Sequence, residues 1–266
     1  MIVVIAVGRE LLTGRALDTN TRWLAQRLRA LGARLDRTVT VDDDLPSIAR
    51  EVRRALEDGA RLVITTGGLG PTRDDMTLAG VAEALGLPLD LSEAARALVE
   101  VHYRGLAGSG AVTEAGLTDS REKMAILPRG AKPLPNPVGA APGVVLEAAG
   151  ALIVSLPGVP SEMRAIFDGS VDALVRARVG GGSSVDLVVV TGERDESRLA
   201  EVLARVMAEV PGSYLKSRPT CFGPDVDIEV VITGSGDSSA EAGRVAETAA
   251  ARLREILGAE RARRRR

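Results

Sequence analysis

"RLVITTGGLGPTRDDMT" (Arg61–Thr77) joins an apolar run to a turn carrying three glycines, a proline and two aspartates. Leu62-Val63-Ile64 reads as a buried strand, and Leu78–Leu85 reads as a helix. A simple reverse turn needs one glycine at most. Three glycines let the backbone adopt φ > 0 and come close to a neighbour or a ligand with no Cβ between them. A strand that leaves through such a loop into a helix is the βα unit of a parallel α/β sheet. In sheets of that kind ligands bind beyond the carboxyl ends of the strands.

The flanking sequence repeats the unit. Ile2–Val7 is a continuous β-branched run, as in a strand covered on both faces. Thr19 or Asn20 caps a helix with Trp23, Leu24, Leu28 and Leu31 at helical spacing, stopped by Gly32. Leu35–Val41 alternates like a strand. Asp44 caps a helix presenting Ile48, Val52 and Leu56 on one face, with Gly59 beyond its end. Ser92–Leu106 reads as a further helix. Strand and helix in alternation predict a parallel sheet with right-handed crossovers. "AKPLPNPVGAAPG" (Ala131–Gly143) reads as an irregular loop. Val144–Leu146 and Leu152–Val154 flank Gly150 as paired strands. "LPGVPSEM" (Leu156–Met163) leads into a helix from Ser161 to about Val179. Gly180–Ser184 reads as a linker. Beyond it, strand (Val185–Val190), helix (Glu196–Val210), two strands (Tyr214–Ser217, Val226–Ile232) and helix (Ala240–Leu257) make a small α+β unit. The expected organisation is a larger domain over residues 1–179, a small domain over 185–258 and a disordered basic tail over 259–266.

Composition narrows the function. The 266 residues are 45% hydrophobic but only 2% aromatic, so Ala, Val and Leu must fill the core. A net charge of −2 argues against non-specific nucleic-acid binding. One cysteine, Cys221, rules out an internal disulfide and fits a reducing cytoplasm. It reads as a buried thiol, because the single histidine, His102, lies far off on a helix. No Cys/His cluster has zinc spacing. The apolar amino-terminal run is too short to span a membrane, and the expectation is a cytoplasmic protein.

Four loops carry the candidate chemistry: "GRELLTGRALDTN" (Gly8–Asn20), "VDDD" (Val41–Asp44), the glycine loop, and "NPVGAAPG" (Asn136–Gly143) with "LPGVPSEM" as a neighbour. The N–H groups of Gly67, Gly68 and Gly70 are expected to form a nest for an anion. The helix starting near Thr77 adds partial positive charge. Asp43 and Asp75 follow neighbouring strand ends and are expected to share a divalent cation; Mg²⁺ takes one or two carboxylates plus water and phosphate oxygens. Glu10 and Asp18 supply further polar contacts, and Ser161 with Glu162 starts a helix at a second possible anion site. Each feature also has a purely structural reading: a tight Gly-Gly turn, a helix cap at Asp44, dipole complementation by Asp74 and Asp75, an Asx-turn at Asn136. Their combination in strand-end loops favours a site. The loop lacks the Gly-Lys-Ser/Thr of a Walker A motif and the spacing of a dinucleotide GxGxxG.

"TTGGLGPTRDDMT" resembles the signature of the molybdopterin-binding, MoaB/Mog-like domain. "GRELLTGRALDTN", "NPVGAAPG" and "LPGVPSEM" resemble more narrowly the amino-terminal half of the CinA (competence/damage-inducible) family, over roughly residues 2–170. "SREKMAILPRGA" (Ser120–Ala131) is similar to stand-alone, archaeal-type members without the deamidase domain. The resemblance implies a MoaB/Mog-like three-layer α/β fold with a mainly parallel sheet, followed by a small α+β KH-like domain. It implies metal-dependent ADP-ribose pyrophosphatase activity with Mg²⁺, Mn²⁺ or Co²⁺, or alternatively a pterin-nucleotide binding or adenylyl-transfer module that takes molybdopterin without hydrolysis. It also implies a homo-oligomer. The matching residues are Gly67, Gly68, Gly70, Asp75 and Thr77 in the shared signature, Asp43 after the second strand, and Glu10, Asp18 and Asn20 in the first CinA-type motif. Asn136, Pro137 and Gly139 match the third motif, and Pro157, Gly158, Pro160, Ser161 and Glu162 the fourth. Arg9 departs from the pattern, where a smaller polar residue is expected. Neither Gly192, Gly212 nor Gly234-Ser235-Gly236 supplies the GXXG loop of a nucleic-acid-binding KH domain, so nucleic acid is not expected as a partner.

Overall fold

A computed structural model describes residues 1–179, 182–219 and 228–264. In chain order the elements are β1 (Ile2–Val7), α1 (Arg9–Leu12), α2 (Thr19–Ala30), β2 (Arg37–Val41), α3 (Leu45–Glu57), β3 (Leu62–Thr66), α4 (Thr77–Leu85), β4 (Leu89–Leu91), α5 (Glu93–Gly108), α6 (Asp119–Glu122), β5 (Ile126–Pro128) and β6 (Lys132–Leu134). They continue as β7 (Gly143–Ala148), β8 (Ala151–Leu156), α7 (Pro160–Ile166), α8 (Asp172–Val179), β9 (Ser183–Val190), α9 (Glu196–Glu209), β10 (Ser213–Pro219), β11 (Ile228–Gly236) and α10 (Ser239–Arg264). The chain forms two compact units, Met1–Arg27 with Arg34–Arg178, and Leu28–Ala33 with Val179–Arg266.

The first unit is built on a six-stranded sheet of order β2-β1-β3-β8-β7-β6. β2, β1, β3 and β8 run parallel, and β7 and β6 add an antiparallel edge. β1 and β3 are buried along their whole length, as the β-branched runs require. On one face Val3, Ile5, Val7, Val63 and Ile153 form a core with Ile48, Val52 and Ala55 of α3 and Val81 of α4. α3 starts on Asp44, whose Oδ1 accepts from the Ser47 N–H at 2.8 Å. Close packing of α3 on α4 explains Gly80: a Cβ there would lie 2.4 Å from Ile48 Cγ2. Elsewhere Trp23 of α2 meets Phe167 edge-to-face at 5.3 Å, and Arg27 pairs with Asp172 at 2.7 Å.

Several expectations need correction. The Pro-rich stretch Ala131–Gly143 is not wholly irregular: Lys132–Leu134 pairs with β7. Pro133 is tolerated because β6 is an edge strand. The long helix expected from Ser161 to about Val179 is present from Pro160 to Val179, but it passes through a π-helical turn at Phe167–Val171, between α7 and α8. The short pair β4–β5 has three residues a strand, too few to show a period. Gly180 and Gly181 of the expected linker lie outside the described residues, and Ser183 and Ser184 already belong to β9. Cys221 and residues 226–227 of the expected strand lie outside them too.

The second unit contains an antiparallel sheet of order β10-β11-β9. Its core joins Val189, Val230 and Ile232 to Leu199, Val202 and Val206 of α9 and Leu253 of α10. The disordered tail expected from residue 259 is corrected as far as 264, because α10 runs on to Arg264. Its last turns are helix-forming Ala, Glu and Arg. Arg261 anchors them, with Nε 3.3 Å from Glu193 Oε1 and Nη2 bonded to the Thr191 carbonyl. Arg265 and Arg266 lie outside the described residues. Among the described residues no helix is long and apolar enough to cross a membrane.

Candidate functional site

Parallel register places the carboxyl ends of four strands along one edge: Val7 lies opposite Val41, Ala6 opposite Thr66, and Thr66 opposite Leu156. The loops leaving those ends enclose a cleft of about 450 Å³. Glu10, Asp43, Gly67, Gly68, Gly70, Asp74, Asp75 and Glu162 all line it. A second depression, about 410 Å³, lies over Arg9, Glu10, Thr13, Arg15, Asp43 and Asp74.

The glycine loop is shaped first by backbone packing. Gly67 has φ 102°, and a Cβ on it would stand 2.2 Å from the Val7 carbonyl oxygen. Its N–H donates to the Leu156 carbonyl at 2.9 Å, so it is not part of an anion nest as the sequence suggested. Gly68 has φ 64°, and a Cβ there would meet Thr77 Oγ1 at 2.4 Å. Thr77 is fully buried. Its hydroxyl donates to the Gly67 carbonyl at 2.7 Å and its N–H to the Gly68 carbonyl at 3.2 Å. Thr77 therefore staples the loop to α4, which corrects its reading as a ligand-binding residue. The N–H groups of Gly68, Leu69 and Gly70 have no acceptor among the described residues, and these three residues face the cleft. These are donors of the kind that can serve an anion.

The acidic residues divide by environment. Asp43 Oδ2 accepts from the Arg9 N–H at 3.1 Å. Burial pushes the Asp43 carboxyl above the usual aspartate range; the Arg9 N–H opposes the shift, and Glu10, Asp42 and Asp74 add to it. The Arg9 side chain pairs with Asp42 at 2.9 Å, and that bond holds the Asp42 carboxyl low. Asp75 Oδ2 accepts from the Thr72 N–H at 2.8 Å and the Thr72 hydroxyl at 2.6 Å, so half of its carboxylate closes its own turn. Asp74 also bonds the Thr72 hydroxyl, which holds its carboxyl low. The largest charge effects raising Asp43 come from Glu10, Asp42 and Asp74. Lys123 clamps the loop from behind, its Nζ donating to the Asp75 carbonyl at 2.6 Å and the Gly70 carbonyl at 3.3 Å. Burial lowers its ammonium pKa against the pull of Asp75 and Asp74.

The remaining predicted residues hold loops in place. Asp18, not Thr19 or Asn20, caps α2: its Oδ1 accepts from the Thr21 N–H at 2.8 Å. Asn20 is buried and donates to the Gly158 carbonyl at 2.8 Å. Neither lines the cleft. Asn136 Nδ2 donates to the Ala141 carbonyl at 2.8 Å and to Glu162 Oε2 at 2.7 Å, and its Oδ1 accepts from Val138 in an Asx-turn. Gly139 lets Glu162 in, since a Cβ would lie 2.2 Å from its Cδ. Ser161 is exposed and outside the cleft, so only Glu162 of that pair faces it. A carboxylate there disfavours the second anion site. Tyr103, Met124, Leu69, Ala140 and Ala141 also line the cleft. They were not singled out, because residues on helix faces and small apolar residues carry no signature.

Among the described residues no group of three or more His, Cys, Asp or Glu is arranged to hold a metal ion. A dedicated all-protein cage does not fit. A Mg²⁺-type ion needs only one or two carboxylates beside water and phosphate oxygens, and Glu10, Asp43 and Asp74 line the same cleft. Asp75 fits less well, since Thr72 already occupies one of its oxygens.

Free backbone N–H groups and carboxylates stand at the strand ends of a mainly parallel sheet, the place where α/β proteins bind their ligands. Residues 3–177 match the family described as "probable molybdopterin binding domain", and the chain belongs to that family. It is 49% identical over 218 residues to a protein of Aeropyrum pernix, spanning 81% of this chain and 78% of that one. A protein of Pyrobaculum arsenaticum is 40% identical over 255 residues, 96% of this chain and 93% of its own length. The crystal structure of the protein CinA with unknown function from Thermoplasma acidophilum is 39% identical and superposes with a TM-score of 0.59, over 65% of this chain and 96% of that one. The CinA-type resemblance read from the four motifs is thereby borne out, as is the MoaB/Mog-like α/β fold.

Proposed function

We propose that the cleft hydrolyses the diphosphate of a nucleoside diphosphate sugar, with ADP-ribose as substrate and a divalent cation (Mg²⁺, Mn²⁺ or Co²⁺) as cofactor. The observation that carries this reading is one cleft in which unpaired N–H groups at Gly68–Gly70 stand beside Glu10, Asp43, Asp74 and Asp75. Backbone donors alone suit any phosphate. Carboxylates beside them repel a phosphate unless a cation intervenes, so the two together suit a metal–diphosphate. A divalent cation would be held by Asp43 with Asp75 or Asp74 and would supply neutralisation of phosphate charge and activation of water. The N–H groups of Gly68, Leu69 and Gly70 bind the non-bridging oxygens of one phosphate. Glu10 orients a water, and a carboxylate accepts its proton as oxygen attacks phosphorus. The bridging P–O bond breaks, giving AMP and ribose 5-phosphate with release of one proton.

A second reading is favoured by the family match over residues 3–177: the same donors hold the phosphate of a pterin or its adenylylated form, with no hydrolysis. Purified protein incubated with ADP-ribose and each cation, beside a titration with a pterin phosphate, separates the two. Hydrolysis predicts AMP release that a chelator abolishes and that is lost in Asp43→Asn. No turnover with any of the three cations, together with pterin-phosphate binding, sinks the hydrolase in favour of the binding module.

A further inference from the structure

The cleft is lined by two kinds of surface. Glu10, Asp43, Asp74 and Asp75 and the free N–H groups of Gly68–Gly70 are polar. Leu69, Met124 and Ala141 belong to one apolar cluster with Val99, with Tyr103 and Ala140 packed against it. Leu69 contributes to both, with a free N–H and a side chain in the apolar cluster.

The chain has one Trp, two Tyr and two Phe, so an aromatic ring on a cleft wall is not the default filling. Tyr103 is moreover held in place. The Arg121 guanidinium lies 3.9 Å from its ring centroid, and His102 meets it edge-on at 5.8 Å. Arg121 is in turn fastened by the Glu114 carbonyl at 2.9 Å and the Gly116 carbonyl at 2.5 Å. Arg121 does not line the cleft, so it supports the ring from outside. A ring held in this way loses little freedom when a flat ligand stacks on it, and the cation behind it polarises its π-system.

We propose that Tyr103, seated among Leu69 and Met124, is the specificity-determining platform for the planar nitrogen heterocycle of the ligand whose phosphate is bound at Gly68–Gly70. This rests on the reading of the cleft as a phosphate-ligand site, and it holds for an adenine nucleotide or a pterin phosphate alike. Stacking of a base on an aromatic side chain sets the expected effect at about 10- to 100-fold in affinity.

Equilibrium binding of AMP, a pterin monophosphate and inorganic pyrophosphate to the full chain tests this, using Tyr103→Leu, which keeps bulk without a ring, and Tyr103→Phe, which keeps the ring. The expected result is a loss of about 10- to 100-fold for AMP or the pterin phosphate in Tyr103→Leu. Pyrophosphate affinity stays within about twofold, and Tyr103→Phe binds the heterocycle like the parent. The heterocycle that shows the selective loss is the one the platform takes. The proposal is overturned by equal weakening of all three ligands, by no weakening of either heterocycle, by a loss in Tyr103→Phe equal to that in Tyr103→Leu, or by failure of the parent to bind either heterocycle. No turnover is required. A selective loss in a protein that does not hydrolyse ADP-ribose sinks the hydrolase alone, and hydrolysis with a KM indifferent to Tyr103 sinks the platform alone.

Discussion

At residue scale, three glycines in thirteen positions are explained mainly by backbone meeting backbone. Gly67 lies against the Val7 carbonyl and Gly68 against the Thr77 hydroxyl, and only afterwards do the N–H groups of residues 68–70 become available to a ligand. Thr77→Val removes the hydroxyl donor of the buried Gly67 carbonyl. It should destabilise the first unit by about 1–3 kcal/mol, seen as a lower denaturation midpoint. A neutral result would show that the staple is dispensable. Asp43 has the opposite character. Its folded-state pKa is raised, so its ionisation opposes folding, and the stability it lends at low pH is lost as pH rises through that pKa. Asp43→Asn should therefore lose metal-dependent turnover yet melt at an equal or higher temperature at pH 7, by roughly 1–2 °C. A lower Tm would contradict the electrostatic assignment. In the metal-free parent, Asp43 should titrate above the ordinary aspartate range near ~4, and adding a divalent cation that it binds should move that titration down. Glu10, Asp43 and the glycine loop were legible because each follows a strand in a short motif. Asp74 and Tyr103 were not, because their positions in the cleft depend on how α5 and the 70–75 turn pack.

At the scale of elements, strands and helices with long apolar periods were readable in type and order, with ends displaced by a few residues. Short ones were not: β4, β5 and β6 have three residues each and exist because a neighbour offers hydrogen bonds. The carboxyl end of α10 shows the same limit. Arginine-rich sequence looks like a solvated tail until Arg261 finds Glu193, whose side chain is 9% exposed. Deleting residues 259–266 should cost the second unit about 1–2 kcal/mol. Thermal unfolding at pH 7 checks it, and an unchanged transition would restore the reading of a free tail.

At the scale of the whole molecule, each unit has its own apolar core, one on β1, β3, α3 and α4, the other on β11, α9 and α10. Calorimetry should accordingly give a calorimetric enthalpy above the van't Hoff value, or two resolved transitions; a single two-state transition would show the units to be one cooperative block. Sequence by itself determined the α/β class, the order of the long elements, the cap at Asp44 and the strand-end loops. These depend on local periodicity, backbone sterics and side chains acting within a few residues. Tertiary structure alone decided which loop residues face the cleft and which hold it in shape. It turned Thr77, Asp18 and Asn20 into supports, put Asp74 beside Asp43, and packed Tyr103 against the apolar lining. The physical reason is that a polar side chain has the same local signature whether it bonds a ligand or a distant carbonyl, and only the packed chain supplies the carbonyl.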